Sequence, residues 1–114
     1  MALYEIDSGT LVPVSETTFR AEGLLERSDL QPLLRDRFDV IDPDVLIVAE
    51  EFGNWEDSAR RIGLLGVDRS GTIVVVELKR TKDGGHMELQ ALRYAAMVSN
   101  LDARDLIEAY AGYL

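Results

Sequence analysis

The chain has 114 residues, 46% of them hydrophobic and 29% charged, with a formal net charge of −9. That length suits one globular domain with one core. The apolar fraction argues against wholesale disorder, and no stretch approaches the roughly 20 apolar residues of a membrane span. Cysteine is absent, which excludes disulfides, thiolate zinc sites and cysteine nucleophiles. The opening MALYEIDSGT lacks the basic region of a signal peptide. A soluble, cytoplasmic protein with no membrane partner is the default expectation. The charge is uneven, because residues 1–57 hold 14 acids against 4 bases and residues 58–114 hold 7 against 8. Overall acidity disfavours nonspecific nucleic-acid affinity. The bases of the second half, among them Arg60, Arg61, Arg69, Lys79, Arg80, Lys82 and Arg93, still allow a local basic surface on an acidic body.

In chain order, Leu3 to Ile6, Asp7-Ser8-Gly9 and Thr10 to Val14 read as a β-hairpin around a type I turn with Gly9 at positive φ. Pro13 confines its second arm to an edge. From Phe19 to Phe38 the apolar residues recur at helical spacing, with Pro32 and Ser28-Asp29 dividing the run and Ser28 or Asp29 as an N-cap. Asp42-Pro43-Asp44 is a turn and Val45 to Ala49 a short strand, followed by a polar connection around Trp55. Arg61 to Val67 and Thr72 to Lys79, joined by Asp68 to Gly71, give the strongest hairpin signal in the chain. The second arm has the β-branched run of a central, buried strand. Asp83-Gly84-Gly85 is a loop, Met87 to Val98 a helix, and Asp102 caps a final helix to Tyr113.

Glu77 and Lys79 end that β-branched arm two residues apart, hence on one face of the sheet. Burying two charges is costly unless they are paired or bound to something, although a strand that simply reaches solvent there would also explain them. On the helix that follows, His86, Gln90 and Tyr94 fall at i, i+4 and i+8 and make a polar stripe. Such a stripe can face the end of the strand, or merely be the solvated side of an amphipathic helix.

In order and spacing, these residues resemble the PD-(D/E)XK nuclease superfamily, in particular endonucleases of the NucS type. Val76-Glu77-Leu78-Lys79-Arg80 is similar to the family's ExK strand, and Gln90-Ala91-Leu92-Arg93-Tyr94 to the QxxxY helix of its RecB-like branch. Glu26 to Gln31 resembles the first core helix, which carries a Glu facing the site. The resemblance implies an α/β fold with a restriction-endonuclease-like core, a mixed β-sheet around the 61–79 hairpin flanked by helices. The resemblance covers roughly Phe19 to Asn100, and 1–114 is expected to be a single nuclease-like domain: an N-terminal hairpin over 1–14, the core over 19–100 and a terminal helix over 102–114. It further implies metal-dependent endonuclease chemistry on DNA phosphodiesters with Mg²⁺ or Mn²⁺. Glu77 would then be a metal ligand and catalytic residue, Lys79 the catalytic lysine, Gln90 and Tyr94 supporting or phosphate-contacting groups, and Glu26 an outer carboxylate. Hard cations of this kind favour carboxylate and water oxygens, and a metal-bound water becomes a nucleophile near neutral pH.

The sequence departs from the pattern at two places. The first metal-binding Asp of these relatives lies on the strand before ExK, where this chain has Arg61-Ile62-Gly63-Leu64-Leu65. Asp68 is no substitute. A three-residue turn with Gly71 at positive φ pairs Asp68 with Thr72, and continuing the register sets Gly63 opposite Glu77. Asp68 is then five residues, roughly 16 Å, from that position. Gly63 thus marks a missing metal ligand, either a natural loss or a deliberate substitution, and metal affinity should be weak or absent. Glu50 or Glu51 is a conceivable substitute carboxylate. The second departure is the helix after Asp102, where the superfamily core places a strand, which makes the chain read as a piece of a longer protein. Three functions follow as expectations: an impaired nuclease domain, an inert nuclease-like module binding nucleic acid or a protein partner, or a structural domain serving a downstream one. A homodimer is compatible with each.

Overall fold

The computed structural model describes residues 1–53, 60–79 and 87–114. Trp55, Arg80, Lys82, His86 and the Asp83-Gly84-Gly85 loop lie outside the described residues. The chain is α/β, with two small antiparallel sheets and three α-helices among the described residues. Every strand pairing among the described residues is antiparallel, which corrects the expectation of a mixed sheet. None of the described helices is long and apolar enough to cross a membrane.

The first sheet is a hairpin of β1 (Leu3–Asp7) and β2 (Thr10–Val14). Ser8 and Gly9 both take positive φ, 50° and 79°. This is the two-residue turn whose twist matches the strands it joins, not the type I turn expected. All ten strand residues are exposed.

The helical run begins later than its apolar spacing suggests, because Phe19 to Gly23 form turns. It is also broken in three: a π-helical turn at Glu26–Leu30, α1 (Gln31–Asp36) with Pro32 in its first turn, and a 3₁₀ turn at Phe38–Val40. Pro32 lacks an amide hydrogen but is tolerated in the first turn of a helix, where that donor would be unsatisfied in any case. Asp29 does not cap forward. Its carboxylate accepts instead from the Leu25 amide, four residues back, at 2.8 Å.

The second sheet is built from β3 (Val45–Phe52), β4 (Ile62–Asp68) and β5 (Ile73–Val76), in that order. β3 runs three residues past the expected strand, through Glu50, Glu51 and Phe52, with a bulge between Ile47 and Ala49. The central strand is β4, not β5. Ile62, Leu64 and Leu65 are fully buried, whereas all four residues of β5 are half-buried. A β-branched run marks a strand, but its place in the sheet depends on which neighbours pair with it.

Apolar side chains are buried on both faces of this sheet. Val48, Ala49, Ile62 and Leu65 pack with Tyr94 and Val98 of α2 (Met87–Val98). Leu64 and Ile47 pack with Phe38, and Leu34, Val76 and Tyr113 close around them. α3 (Ala103–Tyr113) starts on a reciprocal cap, in which the Asp102 carboxylate accepts from the Asp105 amide and Asp105 from the Asp102 amide.

Because Leu65 has no exposed surface, Leu65→Ala should lower stability by about 2–5 kcal/mol. Ile6→Ala on the exposed hairpin should change it by less than about 0.5 kcal/mol. Urea denaturation followed by circular dichroism measures both.

Candidate functional site

The turn between β4 and β5 sets the geometry of the site. The Asp68 amide donates to the Thr72 carbonyl at 2.9 Å and the Gly71 amide to the Asp68 carbonyl at 3.0 Å. Gly71 sits at φ 83°, as the turn chemistry requires. The Asp68 carboxylate accepts from the amides of Ser70 and Thr72, each at 2.9 Å. It is committed to the turn.

The ladder that follows pairs Val67 with Ile73 and Leu64 with Val76. One further step sets Gly63 opposite Glu77, just past the end of β5. On the other side of β4, Glu50 pairs with Leu64 and Phe52 with Ile62, which places Glu51 opposite Gly63. A single row across the sheet therefore reads Glu51, Gly63, Glu77. Residues directly opposite in antiparallel strands present side chains to the same face. The one position in this row without a side chain lies between two carboxylates.

Residues far apart in the chain converge on this row around a cavity of about 250 Å³, and the sequence-derived candidates Glu26, Gly63, Glu77, Lys79, Gln90 and Tyr94 all line it. So do Arg27, Gln31, Glu51 and Arg61, which complete a set of three acids and three bases. At about 30 Å³ per water, the space suits a few waters, an ion or a phosphate group. Lys79 Nζ stands 3.9 Å from Glu77 Oε1. Tyr94 is 6% exposed and shared with the apolar core, so its ring has a packing duty besides any role in the cavity. Glu50 points elsewhere, accepting from Arg35 at 3.1 Å.

Two oxygens of residues that line this cavity, Glu77 Oε2 and Gln90 Oε1, are buried without a hydrogen-bond partner among the described residues. Leaving a buried acceptor unpaired costs about 1–3 kcal/mol, so each calls for a donor or a cation. Burial pushes the Glu77 carboxyl above its ordinary 4.5, the Lys79 ammonium pulls it down, and Glu51 and Glu26 add to the rise.

Glu51 is held firmly. Arg27 Nε and Nη2 donate to its two oxygens at 2.8 Å each, and Gln31 Nε2 donates to Oε1 at 3.2 Å. Its backbone takes φ 51°, a left-handed conformation that costs a non-glycine residue on the order of 1–3 kcal/mol. Gln31, 6% exposed, points its Oε1 into the space at Gly63: a Cβ placed there would stand 2.8 Å from it.

Whether these groups suit a divalent cation follows from the donor set. The unpaired oxygens of Glu77 and Gln90 are hard donors of the right kind. Yet no three His, Cys, Asp or Glu among the described residues come together to hold a metal ion. Position 63 offers no carboxylate, and the Glu51 carboxylate is taken up by Arg27 and Gln31. The set as it stands does not fit a tightly held dication.

Sequence reasoning left Arg27, Gln31 and Arg61 out of the site. For two of them a signal existed. Arg27, Gln31 and Arg35 fall at i, i+4 and i+8 of the helical run, and together they bond the adjacent acids Glu51 and Glu50 of β3. Comparison with protein-family models, with curated proteins and with solved structures finds no match.

Because burial raises the Glu77 carboxyl in the folded state, the unfolded chain releases that proton first as pH rises. The fold therefore loses stability above pH 4.5 until the folded group also ionises. Glu77→Gln should unfold at a higher temperature than the parent at pH 7, and the difference should vanish below about pH 4. Thermal unfolding by circular dichroism across that range measures it.

Proposed function

We propose that this chain is a nuclease-type domain of the PD-(D/E)XK kind, directed at DNA phosphodiesters and impaired by the absence of an acidic ligand at position 63. The observation that supports the reading is convergence: Glu26, Glu77, Lys79, Gln90 and Tyr94 meet with Gly63 in one cavity. Glu77 and Lys79 supply an acid and an ammonium side by side. In that reading Lys79 holds a phosphate oxygen or the attacking water, and Gln90 accepts a hydrogen bond through its buried, unpaired oxygen. Mg²⁺ or Mn²⁺, the ions the superfamily uses, would add charge stabilisation and an activated water, but the donors present fall short of holding one.

A second reading, an inert nuclease-like module that binds nucleic acid, draws on the bases that line the cavity beside its three acids. The carboxylate of Glu51 is neutralised by Arg27, whose side chain is 76% exposed, and Arg61 and Lys79 line the same cavity.

Incubated with single-stranded and branched DNA and Mn²⁺, the protein should show cleavage at or near background. Robust metal-dependent cleavage that disappears in Glu51→Gln would show that a rescuing carboxylate exists and that the impaired reading is wrong. Fluorescence anisotropy with a labelled single strand tests whether DNA binds, with a salt slope of about −2 for three phosphate contacts. Mn²⁺-dependent cleavage gained in Gly63→Asp selects the impaired nuclease, and binding with no gain selects the inert module.

A further inference from the structure

Gln31 is a buried polar residue, 6% exposed, that reaches the cavity from the start of α1. Its amide does two things at once. Nε2 donates to Glu51 Oε1 at 3.2 Å, and Oε1 faces Gly63 at 2.8 Å from the point a Cβ would occupy. Real Cβ atoms essentially never stand that close, so a side chain at 63 requires the Gln31 amide, the far end of a flexible side chain, to shift. The same amide bonds Glu51, so the shift changes the contact on its other side as well.

We propose that Gln31 acts as a plug for the vacated ligand position: residues 31 and 63 form a matched pair, and Gln31 keeps the cavity from becoming a two-carboxylate site. The inference rests on the reading above that position 63 is where the acidic ligand is missing. It goes further in assigning the block to a second residue that no motif contains. Glu51 belongs to the same arrangement. Arg27 grips both of its oxygens and Gln31 one of them, so the carboxylate opposite Gly63 is held toward α1. Gln31 is accordingly a positioning residue, acting through Glu51 and through the space at 63.

The consequence is specific. Gly63→Asp alone sets its Cβ against the Gln31 amide, whereas Gly63→Asp combined with Gln31→Ala removes that contact. The test compares four proteins: the parent, Gly63→Asp, Gln31→Ala and the double variant. Thermal unfolding without metal and calorimetric titration with Mn²⁺ are the two readouts. The expected result is that each single change lowers the melting temperature, while the double variant is more stable than the sum of the two losses. It should also bind Mn²⁺ at least tenfold more tightly than Gly63→Asp alone. Should Gln31→Ala fail to fold, Gln31→Val keeps more of the apolar packing while ending short of the space at 63.

Additive losses in melting temperature, or equal Mn²⁺ affinity in Gly63→Asp and the double variant, would overturn the plug. Non-additive losses with no Mn²⁺ binding in any variant would uphold the pairing of 31 with 63. That outcome would count instead against the metal-dependent reading of the site.

Discussion

A five-residue turn governs the arrangement of this protein. Asp68 closes it by binding two amides with its carboxylate and one carbonyl with its own amide, and Gly71 supplies the positive φ that lets the chain reverse. Side chains alternate along a strand, so a slip of one residue would send every side chain of β5 to the opposite face. The row of Glu51, Gly63 and Glu77 exists because the turn allows one register. The apolar faces agree with it, since Leu64 and Leu65 are buried on opposite sides of the same strand.

That register brings like charges near one another, and the surroundings answer the repulsion unequally. On β3 each acid has a basic partner, Glu50 with Arg35 and Glu51 with Arg27. Glu77 has a looser one in Lys79, at 3.9 Å, and lies deeper, with 16% of its side chain exposed. Desolvation therefore dominates at Glu77 and pairing at Glu51. An exposed ion pair contributes little to stability. The Arg27–Glu51 pair matters more for where it fixes a carboxylate than for the energy it adds.

Much of this was legible in the sequence, for identifiable reasons. Turn chemistry carried the 61–79 hairpin and its register, because Asp at the first position and Gly at the last leave few geometries. Met87–Val98 has no breaker inside it, and Asp102 with Asp105 is a capping pair, so both final helices begin and end where local signals put them. Local signals failed where tertiary contacts decide. The Phe19–Leu25 spacing looks helical but folds as turns, and β3 extends through two glutamates because Arg27 and Arg35 receive them. The mixed sheet came from the resemblance and not from the residues. In the site, strand alternation and helix spacing singled out Glu77, Lys79, Gln90 and Tyr94, and the resemblance made them candidates. Gln31 escaped because its contact is with an absence: no pattern in a sequence announces which side chain fills the gap left by a glycine.

The hairpin of β1 and β2 has a different bearing. Its ten strand residues are exposed, and Leu3, Tyr4, Ile6 and Leu11 each keep more than half of their surface in water. Among the described residues it pairs with no third strand, and a two-stranded ribbon is marginal on its own. Its hydrogen bonds therefore open and close independently of the core, with a free energy far below that of global unfolding. The molecule thus has two levels of cooperativity along one chain. Amides in β1 and β2 trade their hydrogens with solvent by local fraying, while those of β4, locked between two neighbours, exchange only when the whole sheet comes apart.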